Sequence, residues 1–376
     1  MPEQEAKMLR IKVFGPGVGE SIVVGVGDDF WFTVDSCIDS RTNTVPALGF
    51  LEELGVDIGK SLEYVIATHW HDDHIRGISQ LVSRGTSARF VSSTLLTDKS
   101  IEQLLAIYRT SGRISRSGLF ELSSILDTLR TRRGPRPVLA MQNKVLFSRM
   151  IEIEGRSCKV QLLALSPSDK SIQREVENLL GHMPTPGSKV VPIASRGKNL
   201  ASIGLVLSID DFSVLLGADL ENSADPEEGW LSVLDSRDVS LPMSDIFKVS
   251  HHGSVTGHNS RIWSEALKEG PLCVLTPFVR GRRMIPTKED LLRISSLTPH
   301  AYITSYVAPK KASRLNPSVA RTLKEMGAEF TVSQIRVGSV EVSGRIVGLD
   351  SNGLEVQLSP TASKVSDLLE SNGDAS

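Results

Sequence analysis

The sequence is poor in three features that would point to common classes of protein. Its three cysteines, Cys37, Cys158 and Cys273, lie far apart and are odd in number, which argues against a disulfide framework or a CxxC metal site. No hydrophobic run is long enough to span a bilayer. The formal net charge is only -2, so no overall basic field indicates binding to nucleic acid. We therefore expect a protein of a reducing compartment, with no membrane segment.

The composition is otherwise that of an ordinary globular protein. The chain has 376 residues, of which 40% are apolar and 23% charged, and this length allows two domains or one large domain with insertions. Residues 1–7 lack the hydrophobic core of a signal peptide. We therefore expect a cytoplasmic protein.

Histidine is also scarce, and this makes its distribution informative. Three of the eight histidines fall within six residues, in the stretch Thr68-His69-Trp70-His71-Asp72-Asp73-His74. The apolar run before it, Tyr64 to Ala67, predicts a short buried strand, and the amphipathic run after it, Ile75 to Val82, predicts a helix. Three imidazoles and two carboxylates are therefore expected to converge between a strand end and a helix start.

Borderline and hard divalent metals prefer this mixture of nitrogen and oxygen ligands. Histidines two apart on an extended strand end face the same way, and the Asp-His pair that follows can reach a second position nearby. The alternative is a polar loop that contains a chance run of histidine and aspartate. We favour a metal site, because histidine is rare in the rest of the chain.

The same stretch resembles the HxHxDH signature of the metallo-β-lactamase fold superfamily, with His69, His71, Asp73 and His74 in the signature positions. This resemblance implies a four-layer αββα sandwich of the α/β class, in which two β-sheets lie between helices. It also implies a hydrolytic site with one or two metal ions. It does not define the substrate, because one fold can host many reactions.

Two more aspartates match motifs of this superfamily. Asp35 follows the predicted strand Phe30 to Val34 and matches an aspartate that supports the metal site from behind, although it also suits a simple turn. Asp219, in the stretch Gly217 to Glu221, matches the carboxylate that bridges two metals. An aspartate in that context also suits a helix N-cap.

Two stretches narrow the resemblance to the metallohydrolase domain of ComEC-type competence proteins. Ser250-His251-His252-Gly253-Ser254 is similar to their LKVPHHGS segment, with His251 at the last histidine ligand. Gly17-Val18-Gly19-Glu20-Ser21-Ile22 is similar to their GxGDS-type opening.

The chain departs from the family pattern at two places. Where other branches have a third-motif histidine, this chain has Asn199, in the NxxS form of ComEC-type domains. His182 lies upstream and is the alternative for that position. Ile285-Pro286 keeps the proline of a usual His-Pro pair but lacks its histidine.

The resemblance implies two divalent metal ions, Zn²⁺ or Mn²⁺. The ligands expected for one ion are His69, His71 and Asn199, and those for the other are Asp73, His74 and His251. Asp219 is expected to bridge the two ions, and Asp35 to orient a ligand. We expect His252 to protonate a leaving oxygen or to hold a phosphate. An amide oxygen in place of an imidazole favours manganese, because oxygen ligands suit harder ions.

Arginines are concentrated in two stretches, Arg109, Arg113, Arg116, Arg130, Arg132, Arg133 and Arg136 in the first, and Arg280, Arg282 and Arg283 in the second. The first stretch falls in a region with helical periodicity, residues 98–136. Such a run is often only a solvated helical face. The alternative is a cap beside the metal cleft, in which arginines bind phosphates.

We predict a metallohydrolase domain over residues 8–330 that includes the helical basic insertion 98–136. A small C-terminal β appendage is expected at 331–360, and a disordered acidic tail at 361–376. The leading functional hypothesis is a metal-dependent phosphodiesterase, most simply a nuclease, with nucleic acid as substrate and soluble protein partners. Relatives of this kind occur in bacterial multi-protein systems, including phage defence. The alternatives are a hydrolase of lactones, thioesters or cyclic nucleotides, and a regulatory or binding module with a degenerate site.

Overall fold

The computed structural model of the protein describes residues 8–15, 19–93, 99–110, 118–185, 198–280, 283–306, 321 and 337–371. The described residues form eighteen strands: β1 (Met8–Gly15), β2 (Ser21–Val26), β3 (Phe30–Val34), β4 (Leu62–Ile66), β5 (Arg89–Ser92), β6 (Val138–Leu139), β7 (Lys144–Ile153), β8 (Arg156–Ala164), β9 (Leu205–Ile209), β10 (Phe212–Leu216), β11 (Ser244–Lys248), β12 (Leu267–Leu275), β13 (Phe278–Arg280), β14 (Arg283–Ile285), β15 (Ala301–Ile303), β16 (Gly338–Arg345), β17 (Glu355–Leu358) and β18 (Ser363–Lys364).

Sixteen of these strands form two large sheets. The first has the order β17-β16-β1-β2-β3-β4-β5-β6, and the second β18-β15-β12-β11-β10-β9-β8-β7. The first sheet has one antiparallel and one parallel part, whereas in the second a parallel part lies between antiparallel pairs at both ends. The parallel pairs are β3–β4, β4–β5 and β5–β6 in the first sheet, and β10–β11, β11–β12 and β12–β15 in the second. Strands β13 and β14 form a separate hairpin.

The helices are α1 (Pro46–Glu53), α2 (Ile58–Ser61), α3 (Asp72–Ile75), α4 (Ile78–Arg84), α5 (Lys99–Thr110), α6 (Gly118–Thr131), α7 (Asp169–Leu180), α8 (Gly229–Leu234), α9 (Ser260–Glu265), α10 (Lys288–Leu297) and α11 (Val365–Ser371). Two of them, α5 and α6, lie in the predicted helical insertion. Within the described ranges, no helix combines the length and hydrophobicity that crossing a bilayer requires.

Three hydrophobic cores define the layers. The central core lies between the sheets and takes alternate residues from each, such as Phe32 and Val214, as expected where each strand has one face toward the core. A second core joins the outer face of the first sheet to α1, α4, α5 and α6. A third joins the outer face of the second sheet to α8, α9, α10 and α11. The predicted αββα fold class is therefore confirmed.

The C-terminal region differs from the expectation of a separate β appendage. Strand β16 pairs with β1 along eight residues of each strand, and Val340, Val342 and Ile346 are buried in the central core. This region therefore completes the first sheet, because its apolar residues face the same interior as those of β1. The expectation of a disordered tail is wrong for residues 363–371, which form β18 and α11. Val365 of α11 is fully buried.

If residues 338–346 belong to the central core, the substitution Ile346→Ala will lower the free energy of unfolding by about 2–5 kcal/mol, the usual cost of such a cavity. Leu358→Ala in β17 is the matched control. Because Leu358 is 41% exposed, that change should cost no more than about 0.5 kcal/mol. Urea denaturation of both variants measures the difference, and equal small losses would show that the region does not belong to the core.

Candidate metal centre

The candidate site residues lie at the carboxyl ends of parallel strands in both sheets. Asp35 follows β3, and residues 68–74 follow β4. In the second sheet Asp219 comes after β10, and His251 and His252 come after β11. Parallel strands end at the same edge of a sheet, which is where such folds bind ligands. Segments that are far apart in the sequence therefore meet at one place.

The loops that bring these side chains together have unusual backbone conformations. Asp35, Ala218, His251 and His252 all have positive φ, at 59°, 43°, 46° and 56°. Residues other than glycine rarely adopt this region, and each instance costs on the order of 1–3 kcal/mol. Such strain is concentrated at functional sites, where the surrounding structure holds the backbone in place.

Asp35 orients the ring of His74 through a contact with its Nδ1 atom. Its Oδ1 accepts a hydrogen bond from the Thr68 backbone N–H at 2.7 Å, and its Oδ2 accepts one from the Thr68 hydroxyl at 2.7 Å. The same Oδ2 lies 2.7 Å from Nδ1 of His74. This contact engages Nδ1, so Nε2 is the ring nitrogen of His74 that faces the opposite side and that can bind a metal once its proton is displaced.

Two histidines and two aspartates meet on that opposite side. Nε2 of His74 lies 3.3 Å from Oδ2 of Asp219 and 3.8 Å from Oδ2 of Asp73. Nε2 of His252 lies 3.4 Å from Oδ2 of Asp73 and 3.5 Å from Oδ2 of Asp219. We call these four residues the central cluster.

A second group of ligand atoms borders the central cluster. The ring of His69 lies 4.2 Å from that of His74 and 4.6 Å from that of His71, measured between centroids. Asn199 donates a hydrogen bond from Nδ2 to Oδ2 of Asp219 at 3.2 Å. The side chains expected on the two sides of Asp219 are therefore close together.

Several buried atoms of these residues have no hydrogen-bond partner among the described residues: Nε2 of His69, Nε2 of His74, Nε2 of His252, Oδ1 of Asp219 and Oδ1 of Asn199. Buried polar atoms are nearly always hydrogen-bonded, so this concentration needs an explanation. All five atoms can offer a lone pair to a cation. Nitrogen and oxygen ligands so arranged fit a divalent metal.

The charges of the central cluster also favour a cation. Burial lowers the pKa of His74, but Asp219, Asp35 and Glu20 outweigh burial and hold this pKa well above its usual value. Burial raises the pKa of Asp219, yet His252 and His74 hold it well below its usual value. The carboxylates are therefore ionised, and in the protein alone their negative charge favours the protonated ring of His74. A cation bound among these carboxylates would take the place of the proton on Nε2. Burial, together with His74 and His71, lowers the pKa of His69 and keeps it neutral, as a metal ligand must be.

Comparison with known proteins agrees with this chemistry. The model of the metallo-beta-lactamase superfamily matches residues 14–98, a span that contains Asp35 and the histidines of residues 69–74. Among curated proteins, no sequence matches the chain.

Several solved structures are distantly similar to this chain. YhfI from Bacillus subtilis is 12% identical, with 78% of this chain and 95% of that chain covered and a TM-score of 0.39. Zn²⁺-bound PqqB from Methylobacterium extorquens is 10% identical, with 60% and 58% covered and a TM-score of 0.27. An archaeal superfamily protein from Sulfolobus tokodaii is 15% identical, with 59% and 67% covered and a TM-score of 0.25.

The two adjacent histidines, His251 and His252, lie differently from our expectation that His251 would be the inward ligand. His252, not His251, directs Nε2 into the central cluster. Nδ1 of His251 instead lies 2.7 Å from Oγ1 of Thr256 and 3.4 Å from Oε2 of Glu221. Two consecutive residues with positive φ turn the chain sharply, so their side chains diverge. Sequence similarity identifies the pair but cannot tell which member points inward.

His182 does not join the site. Its side chain is exposed, and its Nδ1 lies 2.8 Å from the backbone oxygen of Asn178, one turn earlier in α7. Asn199, in contrast, lies next to Asp219.

The arginines of the insertion are partly engaged within the protein. Arg109 pairs with Asp127, and Arg130 donates to Glu102 at 2.6 Å. Arg132 donates to three backbone oxygens, those of Val82, Gly85 and Ala88. These contacts favour the interpretation as a solvated helical face. Arg133 and Arg136 are exposed. The side chains of Arg113, Arg116, Arg280, Arg282 and Arg283 lie outside the described residues.

Sequence analysis missed Glu20, which the structure buries completely behind the central cluster. Glu20, His74, Asp219 and His252 each offer a ligand atom, all within 4.8 Å of one another. The signal was its place in the Gly17 to Ile22 stretch, at the acidic position of the GxGDS-type opening.

If Asp35 holds His74 for a metal, Asp35→Asn will weaken the binding of Mn²⁺ or Zn²⁺ by about 10–100-fold, the usual effect of losing a supporting carboxylate. Competition with a chromogenic chelator measures the affinity. The control is Asp39→Asn, because Asp39 lies on the same loop and its side chain accepts only from the backbone N–H of Arg41 among its described hydrogen bonds. Wild-type affinity in the Asp35 variant would contradict the assignment.

Comparing His252→Ala with His251→Ala tests which of the two histidines is the metal ligand. We expect His252→Ala to lose more than about tenfold in metal affinity, since a ligand should matter at least as much as its supporting residue. His251→Ala should keep the metal content of the wild-type protein after dialysis, as measured by elemental analysis. The opposite pattern would restore the ligand order that we expected from the sequence.

Proposed function

We propose that this protein is a metal-dependent phosphodiesterase, most simply a nuclease that acts on DNA or RNA. The observation that carries the proposal is the central cluster, in which buried imidazole and carboxylate atoms without hydrogen-bond partners converge. Metallo-β-lactamase superfamily proteins are metal-dependent hydrolases, and the superfamily match covers the histidine motif.

The residues fall into two groups that meet at Asp219, whose Oδ2 lies near Nε2 of His74 and Nε2 of His252 and accepts from Asn199. We propose that His69, His71 and Asn199 hold one divalent ion, while Asp73, His74 and His252 hold the other. Divalent cations bound there would supply Lewis acidity and lower the pKa of a nearby water to about 7. The chain's own part is to orient the ligands. Asp35 fixes the ring of His74, and the hydroxyl and backbone oxygen of Thr276 fix that of His252.

A phosphodiester is the substrate class that we favour, because paired cations can brace both the attacking and the leaving oxygen of this group. The similarity of residues 250–254 and of Asn199 with its surroundings to ComEC-type domains supports the same class. The basic insertion contributes little to the argument, since Arg109, Arg130 and Arg132 are engaged within the protein.

That engagement is the specific observation that favours a second candidate. A hydrolase of small esters, such as lactones, thioesters or cyclic nucleotides, needs no extended basic surface for a polymer. The same metal centre would serve it, because the fold does not determine the substrate. The experiment below separates the two candidates.

We expect the wild-type protein to cleave labelled single- or double-stranded DNA or RNA when loaded with Mn²⁺ or, separately, with Zn²⁺. Asp73→Ala should lose more than about 100-fold of this activity, beyond the usual effect of a supporting residue. Asp72→Ala is the matched control, since the neighbouring carboxylate is exposed and accepts from the backbone of Gly118 instead.

Cleavage that survives in Asp73→Ala would assign the activity to a contaminant. If metal-loaded protein cleaves no polymer but hydrolyses small esters, the nuclease proposal is wrong and the second candidate replaces it.

A further inference from the structure

A buried ion pair lies directly behind the central cluster. Glu20 and Lys248 are 228 positions apart, and both side chains are almost fully buried. Nζ of Lys248 donates to Oε2 of Glu20. Burying two charges is unfavourable unless they are paired and hydrogen-bonded, so the position of this pair needs a reason.

A backbone hydrogen bond links Glu20 to the loop of residues 68–74. The backbone N–H of Glu20 donates to the backbone oxygen of Asp73 at 2.9 Å. Gly19, at φ +105°, approaches the same oxygen so closely that a Cβ would lie 2.7 Å from it. Glycine is therefore required at position 19 for Glu20 to reach this place.

A chain of hydrogen bonds connects the pair to His252. The hydroxyl of Thr276 donates to Oε2 of Glu20 at 2.7 Å. Since its proton is used there, that hydroxyl oxygen can only accept from Nδ1 of His252, 3.2 Å away. The Thr276 backbone oxygen, at 3.0 Å, accepts from the same Nδ1. Nδ1 of His252 therefore carries the proton, and Nε2 turns its lone pair to the central cluster.

Glu20 also faces the second histidine of the central cluster. Its Oε1 lies 3.9 Å from Nδ1 of His74 and has no hydrogen-bond partner among the described residues. Oε2 lies 3.9 Å from Nδ1 of His252. One carboxylate thus stands behind both rings, on the side opposite the converging Nε2 atoms.

We propose that Glu20, paired with Lys248, is a positioning residue that orients His252 through Thr276. Its negative charge also offsets the positive charge of Lys248 behind the rings of His74 and His252. The inference rests on the proposed function, because it takes the central cluster to hold a divalent cation. The alternative is a purely structural link between the start of β2 and the end of β11. The two differ in what happens when both charges are removed together.

The test is a double-mutant cycle on Mn²⁺ affinity, measured without substrate by chelator competition. Glu20→Gln leaves the Lys248 ammonium buried and unpaired behind the histidines, and should weaken affinity by about 10–100-fold. The double variant Glu20→Gln/Lys248→Met removes the unpaired charge and should recover most of that loss. An equally weak double variant would show a structural link and overturn the proposal.

Variants of Thr276 provide a second test, which does not depend on the folding of the Glu20 variants. Thr276→Val removes the hydroxyl at nearly constant shape and should weaken Mn²⁺ affinity, while Thr276→Ser keeps the hydroxyl and should retain it. In the metal-free protein, ¹⁵N NMR should show the Nδ1–H tautomer of His252 in the wild type and a mixture in Thr276→Val. Unchanged affinity and tautomer in Thr276→Val would overturn the proposal.

Asp245→Asn is the matched control for loss of a buried carboxylate. Asp245 lies on the same strand, β11, and its Oδ1 accepts from Lys268 at 2.8 Å. This variant should bind Mn²⁺ like the wild type. If the wild type binds no divalent metal, both this inference and the proposed function fail. If the wild type binds metal and Glu20→Gln behaves like Asp245→Asn, only this inference fails.

Discussion

The concentration of buried charge where the carboxyl ends of the two sheets meet is the constraint on which the rest of the structure depends. Asp219, Asp35 and Glu20 are all buried around His74. Burying a carboxylate is unfavourable unless a positive charge compensates it. The strained loops at Asp35, Ala218 and His251–His252 make sense as the means of holding the ligand atoms at this point. A divalent cation satisfies both the charge and the atoms that lack hydrogen-bond partners.

Behind the ligands stands a layer of supporting residues that comes from separate parts of the chain. Asp35 follows β3 and fixes His74, whereas Glu20 precedes β2 and reaches His252 through Thr276, which follows β12. Each histidine of the central cluster therefore has Nδ1 engaged and Nε2 directed inward. Such supporting contacts set the orientation and basicity of metal ligands, so metal affinity is expected to depend on residues that never contact the metal.

The features that the sequence predicts well are those carried by local patterns. Strands such as Phe30–Val34 have short apolar runs, and the histidine motif is contiguous, so both the αββα class and the ligand-rich loop at residues 68–74 follow from neighbouring residues. The inward histidine of the pair at 251 and 252 depends on backbone torsions that sequence does not reveal. The pairing of Glu20 with Lys248, and of β16 with β1, joins residues more than 200 positions apart. Nothing local signals such contacts.

The position of a bound metal is the most direct test of these assignments. A crystal structure of the Mn²⁺-loaded protein, with anomalous diffraction data collected near the manganese edge, would locate it. We predict an anomalous peak within bonding distance of Nε2 of His74, Nε2 of His252 and a carboxylate oxygen of Asp219. A peak bound by His251 instead of His252, or no peak among these residues in protein that contains manganese, would contradict the account.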